Sequence, residues 1–140
     1  MNGPPAISRG IEASASRGWR SFQSQLSYLF VDSHYDASGL RIPEVAKNQG
    51  SAQVSYQKRD LSISASLRTY SSQFDDDLNH FLLPGFASIA ANGRERLSKS
   101  VWMIAEMENI LNHQYYVALT PLPNTGTPRV WRIGLRWEQH

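Results

Sequence analysis

Three groups of side chains in the 140-residue sequence have residue types and spacing that could do chemistry. Asp75, Asp76 and Asp77 with His80 carry the donor atoms of a cation site. Three adjacent acids on an extended backbone cannot converge on one ion, because neighbours point to opposite sides. The pattern favours a solvated loop, with contact to a cationic or metal-chelate ligand as a separate candidate role for its carboxylates, and no resident metal. His34, Tyr35 and Asp36 form a second polar group, with ligand contact as their candidate role. Glu106 and Glu108 form a third. On one strand they would lie about 7 Å apart, a glycosidase-like separation, but nothing nearby supplies a cleft or a substrate platform. Arg132 and Arg136 on a neighbouring strand offer cross-strand ion pairs instead. No Ser/His/Asp set, Gly-rich phosphate loop, zinc-spaced His pair or basic aromatic platform is visible. No enzyme, cofactor or nucleic-acid partner is expected.

Composition narrows the class further. Hydrophobic residues make up 41% and charged residues 19%, enough apolar surface to order a domain. The net charge of +2 is too small to argue for nucleic acid. With no cysteine, disulfide scaffolds and thiolate metal sites are excluded. The start, MNGPPAISRGIEAS, lacks the apolar core of a signal peptide. No window approaches the roughly 20 apolar residues of a membrane helix, whereas membrane strands need only about 9–11 residues with every second one apolar.

The elements that must position these groups are strands. Trp131, Ile133, Leu135 and Trp137 alternate with Val130, Arg132, Gly134 and Arg136, so the last run has two unlike faces. SVWMIAEMEN precedes it, across the polar segment ILNHQYYVALTPLPNTGT. Earlier strands are expected at Ile7–Ser16, Trp19–Asp32, Lys47–Gln57, Leu61–Phe74 and Gly85–Asn92, the last hard to phase. Trp19–Asp32 would extend more than about 40 Å, long for a soluble domain. Short connections at Arg17-Gly18, Lys58–Asp60 and Gly93–Leu97 alternate with long ones at Ser33–Val45, Asp75–Pro84 and Leu111–Gly126. In an up-and-down meander all short turns then fall at one end and all long loops at the other. Outer-membrane barrels have this asymmetry. Trp19 and Trp137, at the short-turn end, suit an interfacial girdle. Two readings remain open on pattern alone. One is a membrane barrel; the other is a soluble β-sandwich, whose polar residues would face water.

A family resemblance covers about Gly10 to Trp137. The pieces are Gly10-Ile11-Glu12 with Leu26-Ser27-Tyr28-Leu29-Phe30-Val31-Asp32; Ile42-Pro43-Glu44-Val45-Ala46-Lys47-Asn48; and Arg68-Thr69-Tyr70-Ser71-Ser72-Gln73-Phe74-Asp75-Asp76-Asp77. Leu83-Pro84-Gly85-Phe86 follows, then Glu108-Asn109-Ile110-Leu111-Asn112 with Tyr115 or Tyr116, and Gly126-Thr127-Pro128-Arg129. In order and spacing they resemble the C-terminal part of TonB-dependent outer-membrane receptors, of the siderophore-receptor type. Ala46 stands where a second proline is usual, and Glu138-Gln139-His140 follow the usual terminal aromatic.

The resemblance implies an all-β antiparallel meander of about seven strands, a section of a 22-stranded transmembrane β-barrel. It implies that residues 1–140 are the C-terminal section of the receptor barrel, with the plug domain and earlier strands elsewhere. Glu108, Asn109, Gly126, Pro128 and Arg129 become structural motif residues. Glu106, Glu108, Arg132 and Arg136 become charged residues of the lumen wall. His34, Tyr35, Asp36, Asp75, Asp76, Asp77 and His80 become external-loop candidates for ligand contact. Implied partners are outer-membrane lipid, the plug and remaining strands, TonB through that plug, and a small-molecule ligand such as a ferric siderophore. The implied location is the outer membrane of a Gram-negative bacterium. Alternatives are a small complete outer-membrane barrel with a structural or adhesive role, needing an eighth strand within Met1–Ile7, and a soluble β-sandwich binding module.

Overall fold

Alternating small polar and large apolar residues give each long segment two unlike faces, and antiparallel pairing carries those faces across the whole sheet. The computed structural model describes residues 5–139. Its elements are β1 (Ala6–Trp19), β2 (Phe22–Tyr35), β3 (Asn48–Lys58), β4 (Leu61–Tyr70), β5 (Gln73–Phe74), β6 (Leu82–Leu83), β7 (Phe86–Arg96), β8 (Val101–Glu108), β9 (Tyr116–Ala118), β10 (Asn124–Thr125) and β11 (Val130–Trp137). Seven of them form one antiparallel sheet in the order β1-β2-β3-β4-β7-β8-β11. This is the up-and-down meander that the alternation predicts. The other four make two small hairpins, β5 with β6 and β9 with β10, inside the long loops.

Register fixes which residues share a face. Trp19 pairs with Phe22, Phe22 with Tyr56, Tyr56 with Ile63, Ile63 with Gly93, Gly93 with Ala105 and Ala105 with Ile133. That row and its period-two neighbours make one apolar face, with Ile11, Leu26, Phe30, Val54, Leu67, Ile89, Met107 and Leu135 on it. The opposite face carries Glu12, Gln25, Ser27, Ser51, Gln53, Ser64, Ser66, Arg68, Asn92, Glu106 and Arg132.

The apolar face is not covered. Leu135 is 72% exposed, Ile11 71% and Trp131 69%. The buried hydrophobic residues among those described are Ala46 and Leu83, both at the long-loop end. The accessible surface is 10415 Å², against about 7300 Å² for a compact monomer of this mass. A sandwich would bury the apolar face under a second sheet; among the described residues no sheet covers it.

Several expected boundaries move. The first turn is Arg20-Ser21, not Arg17-Gly18, because Gly18 remains in register opposite Gln23. Arg20 takes the left-handed conformation (φ 55°) that closes the hairpin, as Arg59 (φ 50°) does in the β3–β4 turn. Gly93–Leu97 is not a turn. β7 runs through to Arg96, and the chain reverses over residues 97–100. Small residues on both faces hid its phase; the register puts Ala87, Ile89, Ala91 and Gly93 on the apolar side. The strand expected over Leu61–Phe74 stops at Tyr70. There Gly85 lets the next segment lie against the backbone, since a Cβ would fall 2.6 Å from the Tyr70 carbonyl oxygen. Of the stretch Met1–Ile7 considered for an eighth strand, residues 1–4 lie outside the described residues, while Ala6 and Ile7 belong to β1. β1 and β11 each have one strand partner among the described residues.

Candidate functional site

The meander sends every long loop to one end, and there the loops bind one another. Asn79 is the main connector. Its side-chain carbonyl accepts from the Arg41 N–H (2.7 Å) and its amide donates to the Arg41 carbonyl (2.8 Å), as a paired strand residue would. The Glu44 N–H donates to the Phe74 carbonyl (2.7 Å), and the Arg41 guanidinium lies over the Phe74 ring at 5.5 Å. Loop 36–47 is thereby fixed to the β5–β6 hairpin.

The three consecutive aspartates diverge, each to a different partner. Asp75 Oδ2 accepts from the Thr120 hydroxyl (2.6 Å), the Thr120 N–H (2.6 Å) and the Leu119 N–H (3.0 Å). It joins the β5–β6 loop to the β9–β10 loop. The Thr120 hydroxyl leads in holding the Asp75 carboxyl below the usual carboxylate range; the two N–H groups add to it, against partial burial and the nearby Asp76. Asp76 turns back on its own loop and accepts from the Phe81 N–H (2.8 Å). Partial burial works to raise its pKa, but the N–H groups of Phe81, His80 and Leu78 and the His80 ring bring it below the usual value. Asp77 accepts from the Tyr35 hydroxyl (2.5 Å), linking to the end of β2. His80 Nδ1 is 3.8 Å from Asp76 Oδ2 and its side chain stays two-thirds exposed. No group of three His, Asp or Glu side chains placed to hold a metal ion occurs among the described residues.

Of the remaining loop candidates, Asp36 is exposed at the tip beyond β2. Tyr35 belongs to the polar-face phase, opposite Ala6, whereas His34 belongs to the apolar-face phase, opposite Ile7.

Below the loops the polar face forms a concavity of about 500 Å³, bordered by Ser66, Arg68, Asn92, Glu106, Glu108 and Tyr115. Arg132 lies between the two glutamates on this face. Its Nη1 is 2.8 Å from Glu108 Oε1 and 3.7 Å from Glu106 Oε2. Arg136 takes another partner: its Nε sits 3.2 Å from Glu138 Oε1. Glu138 also accepts from the Trp102 indole N–H (3.1 Å), so the residue after Trp137 is tied to the wall.

Asn109 closes the upper edge. It is 2% exposed, in the left-handed conformation (φ 46°). Its amide donates to the carbonyls of His113 and Thr127 (both 2.9 Å), and its carbonyl accepts from the His113 N–H (3.0 Å). Asn112 accepts from the Arg129 N–H (3.2 Å). Tyr115, not Tyr116, is the aromatic that packs inward, stacked on Phe86 at 3.9 Å. Phe86 continues to Tyr70 at 5.1 Å. Gly126 is required here, because a Cβ would occupy the Tyr115 ring. Sequence reasoning missed Asn79 and Thr120, and it placed Phe86 in a motif without its stacking partners. Their partners come from distant loops, and no local spacing encodes them.

A continuous meander with one face apolar and uncovered, one face polar and concave, and its loops gathered at one end has the architecture of a β-barrel wall section. Solved structures agree on the fold. The ferric yersiniabactin uptake receptor of Yersinia pestis superposes at TM-score 0.83 with 15% identity over 94% of this chain and 23% of that one. The ferripyoverdine receptor of the outer membrane of Pseudomonas aeruginosa does so at 0.78 and 18% over 94% of this chain and 19% of that one. A copper transporter, OprC, does so at 0.73 and 14% over 94% of this chain and 23% of that one. The chain thus spans about a fifth of the length of these proteins. At the level of sequence, no family model and no curated protein matches it.

Proposed function

We propose that this chain is the C-terminal wall and loop section of a TonB-dependent outer-membrane receptor that takes up a scarce solute, a ferric siderophore above others. The observation that carries the reading is the uncovered apolar face of a seven-strand meander. In water that face would be a large aggregation surface. In a bilayer it is the solvated surface. The likeness in fold to receptors for ferric yersiniabactin and ferripyoverdine supports the solute class.

On this reading the apolar face meets outer-membrane lipid, and the polar concavity faces the plug and the solute's path. Asp75, Asp76 and Asp77 act first as loop connectors. Ligand contact falls to the exposed Asp36 and His80, with Tyr35 and Asp77 at the loop junction. His34, phased toward the lipid side, is a weaker candidate. The plug, the other strands and the contact with TonB would come from the rest of the receptor. The wall section alone would not transport.

The test is uptake of radio-iron as siderophore complexes by cells carrying the whole receptor, against cells with its gene deleted. Uptake lost on deletion and restored on complementation is expected. Unchanged iron uptake, with the protein fractionating in the outer membrane, would move the solute to another class. Fractionation away from membranes would sink the barrel reading.

A further inference from the structure

The two ends of the apolar face differ in how their cations are matched. At the long-loop end, Lys47 Nζ sits 2.7 Å from Asp32 Oδ1, and Arg9 lies opposite Asp32 in the β1–β2 register. At the short-turn end, Arg17, Arg20, Lys58 and Arg59 are all exposed, and none has a carboxylate within 4.0 Å among the described residues. Asp60, the acid nearest to them in sequence, is taken by Arg96 at 3.2 Å, and Glu95 stands on the far side of β4 opposite Leu61.

The four cations surround an aromatic step. Trp19 and Phe22 are paired at the β1–β2 hairpin, and Phe22 packs on Tyr56 of β3 at 4.8 Å. The Arg20 guanidinium stands over the Trp19 ring at 5.4 Å. The Ser21 carbonyl accepts from the Gln57 N–H (2.8 Å), which holds the first turn beside Lys58. β1 and β3 are two strand spacings, about 10 Å, apart across the sheet, and Arg17, level with Val54 through Ser24, lies four residues short of Lys58, roughly 13 Å along the strands. Beneath them a groove of about 330 Å³ runs on the apolar face, lined by Arg17, Trp19, Phe22, Ser24 and Val54. Arg17 can bury its stem in that groove and carry its charge up to the aromatic level.

We propose that the short-turn end of β1–β3 is a docking site for an anionic phospholipid of the leaflet it faces, with Arg17, Arg20, Lys58 and Arg59 on the headgroup phosphate and an acyl chain along Val54 and Leu26. This rests on the barrel-wall reading above. The occupant follows from charge complementarity: unmatched cations ring an apolar groove at the height where headgroups lie. Basic residues beside a membrane surface attract anionic lipid in this way.

Flotation of the full chain with two kinds of vesicle tests it: phosphatidylcholine alone, and phosphatidylcholine with phosphatidylglycerol. Association with both is expected, at least about tenfold tighter with the anionic vesicles at low salt, and weakening as salt rises. The quadruple variant Arg17→Gln, Arg20→Gln, Lys58→Gln, Arg59→Gln is expected to bind both vesicles alike. A control of equal net charge, Arg9→Gln, Arg41→Gln, Lys47→Gln, Arg129→Gln, is expected to keep the preference. Equal binding of the unmodified chain to both vesicles overturns the lipid site and leaves the barrel wall standing. So does a preference that survives in the first variant or is lost in the control. Binding to neither vesicle overturns both readings.

Discussion

Asn109 makes three hydrogen bonds with a side chain that is almost fully buried, in a backbone conformation that few residues other than glycine adopt cheaply. Asn109→Ala removes the bonds and keeps the strain, so a loss of about 2–4 kcal/mol is expected, measured by urea unfolding in detergent. Gly126→Ala drives a methyl group into the Tyr115 ring and should cost about 1–3 kcal/mol in the same assay by unseating that ring from Phe86. Asp75 gives a pH prediction. Its folded pKa is depressed, so its contribution is complete above the unfolded value of about 3.9 and is lost as pH falls through the lower folded value. The connection to Leu119 and Thr120 should therefore be unchanged between neutral and mildly acidic pH and loosen only below about 4. Hydrogen exchange at those two amides reports it. Loosening already at mildly acidic pH would show that the Asp75 carboxylate does not control this connection. The short spacing of Asp75, Asp76 and Asp77 shows in the sequence, but their three separate partners do not, because those partners come from different loops.

The strand β11 separates an apolar from a polar face within adjacent residues. Ile133 is 68% exposed on the apolar face, while Arg132 is on the polar face with Glu106 and Glu108. In a bilayer Ile133→Arg should cost about 2–4 kcal/mol, as charge on a lipid-facing strand does near the midplane. Arg132→Gln should cost no more than about 1 kcal/mol, the scale of an exposed ion pair. Equilibrium unfolding in lipid vesicles checks both. If the face met water, Ile133→Arg would be nearly neutral, so a null result there rejects the membrane assignment. This alternation is legible in the sequence because its period is two and its apolar residues are large. β7 was not legible in the same way. Ala, Ser and Gly fill both its faces, and only pairing with β4 and β8 sets its phase and carries it through Gly93.

At the scale of the whole molecule, the proposed barrel wall sets the apolar face in an apolar solvent. The chain should yield a β-rich spectrum in detergent or lipid and aggregate when both are withdrawn, which circular dichroism and sedimentation measure. A stable monomer in plain buffer would overturn the barrel wall. The fold likeness at TM-scores of 0.73–0.83 with 14–18% identity has a physical basis. A barrel wall needs alternation and register, and many different residues satisfy both.

The seven strands of the main sheet, their meander order, the two faces and the gathering of long loops at one end follow from the sequence alone, because they depend on local periodicity and connection length. Turn positions at Arg20-Ser21 and residues 97–100, the phase of β7, the pairing of Asn79 with Arg41 and of Asp75 with Thr120, and the seat of Tyr115 on Phe86 and Gly126 were decided by tertiary structure. Each of these depends on strand register or on a contact between separate segments, and neither leaves a spacing to read until the sheet has formed.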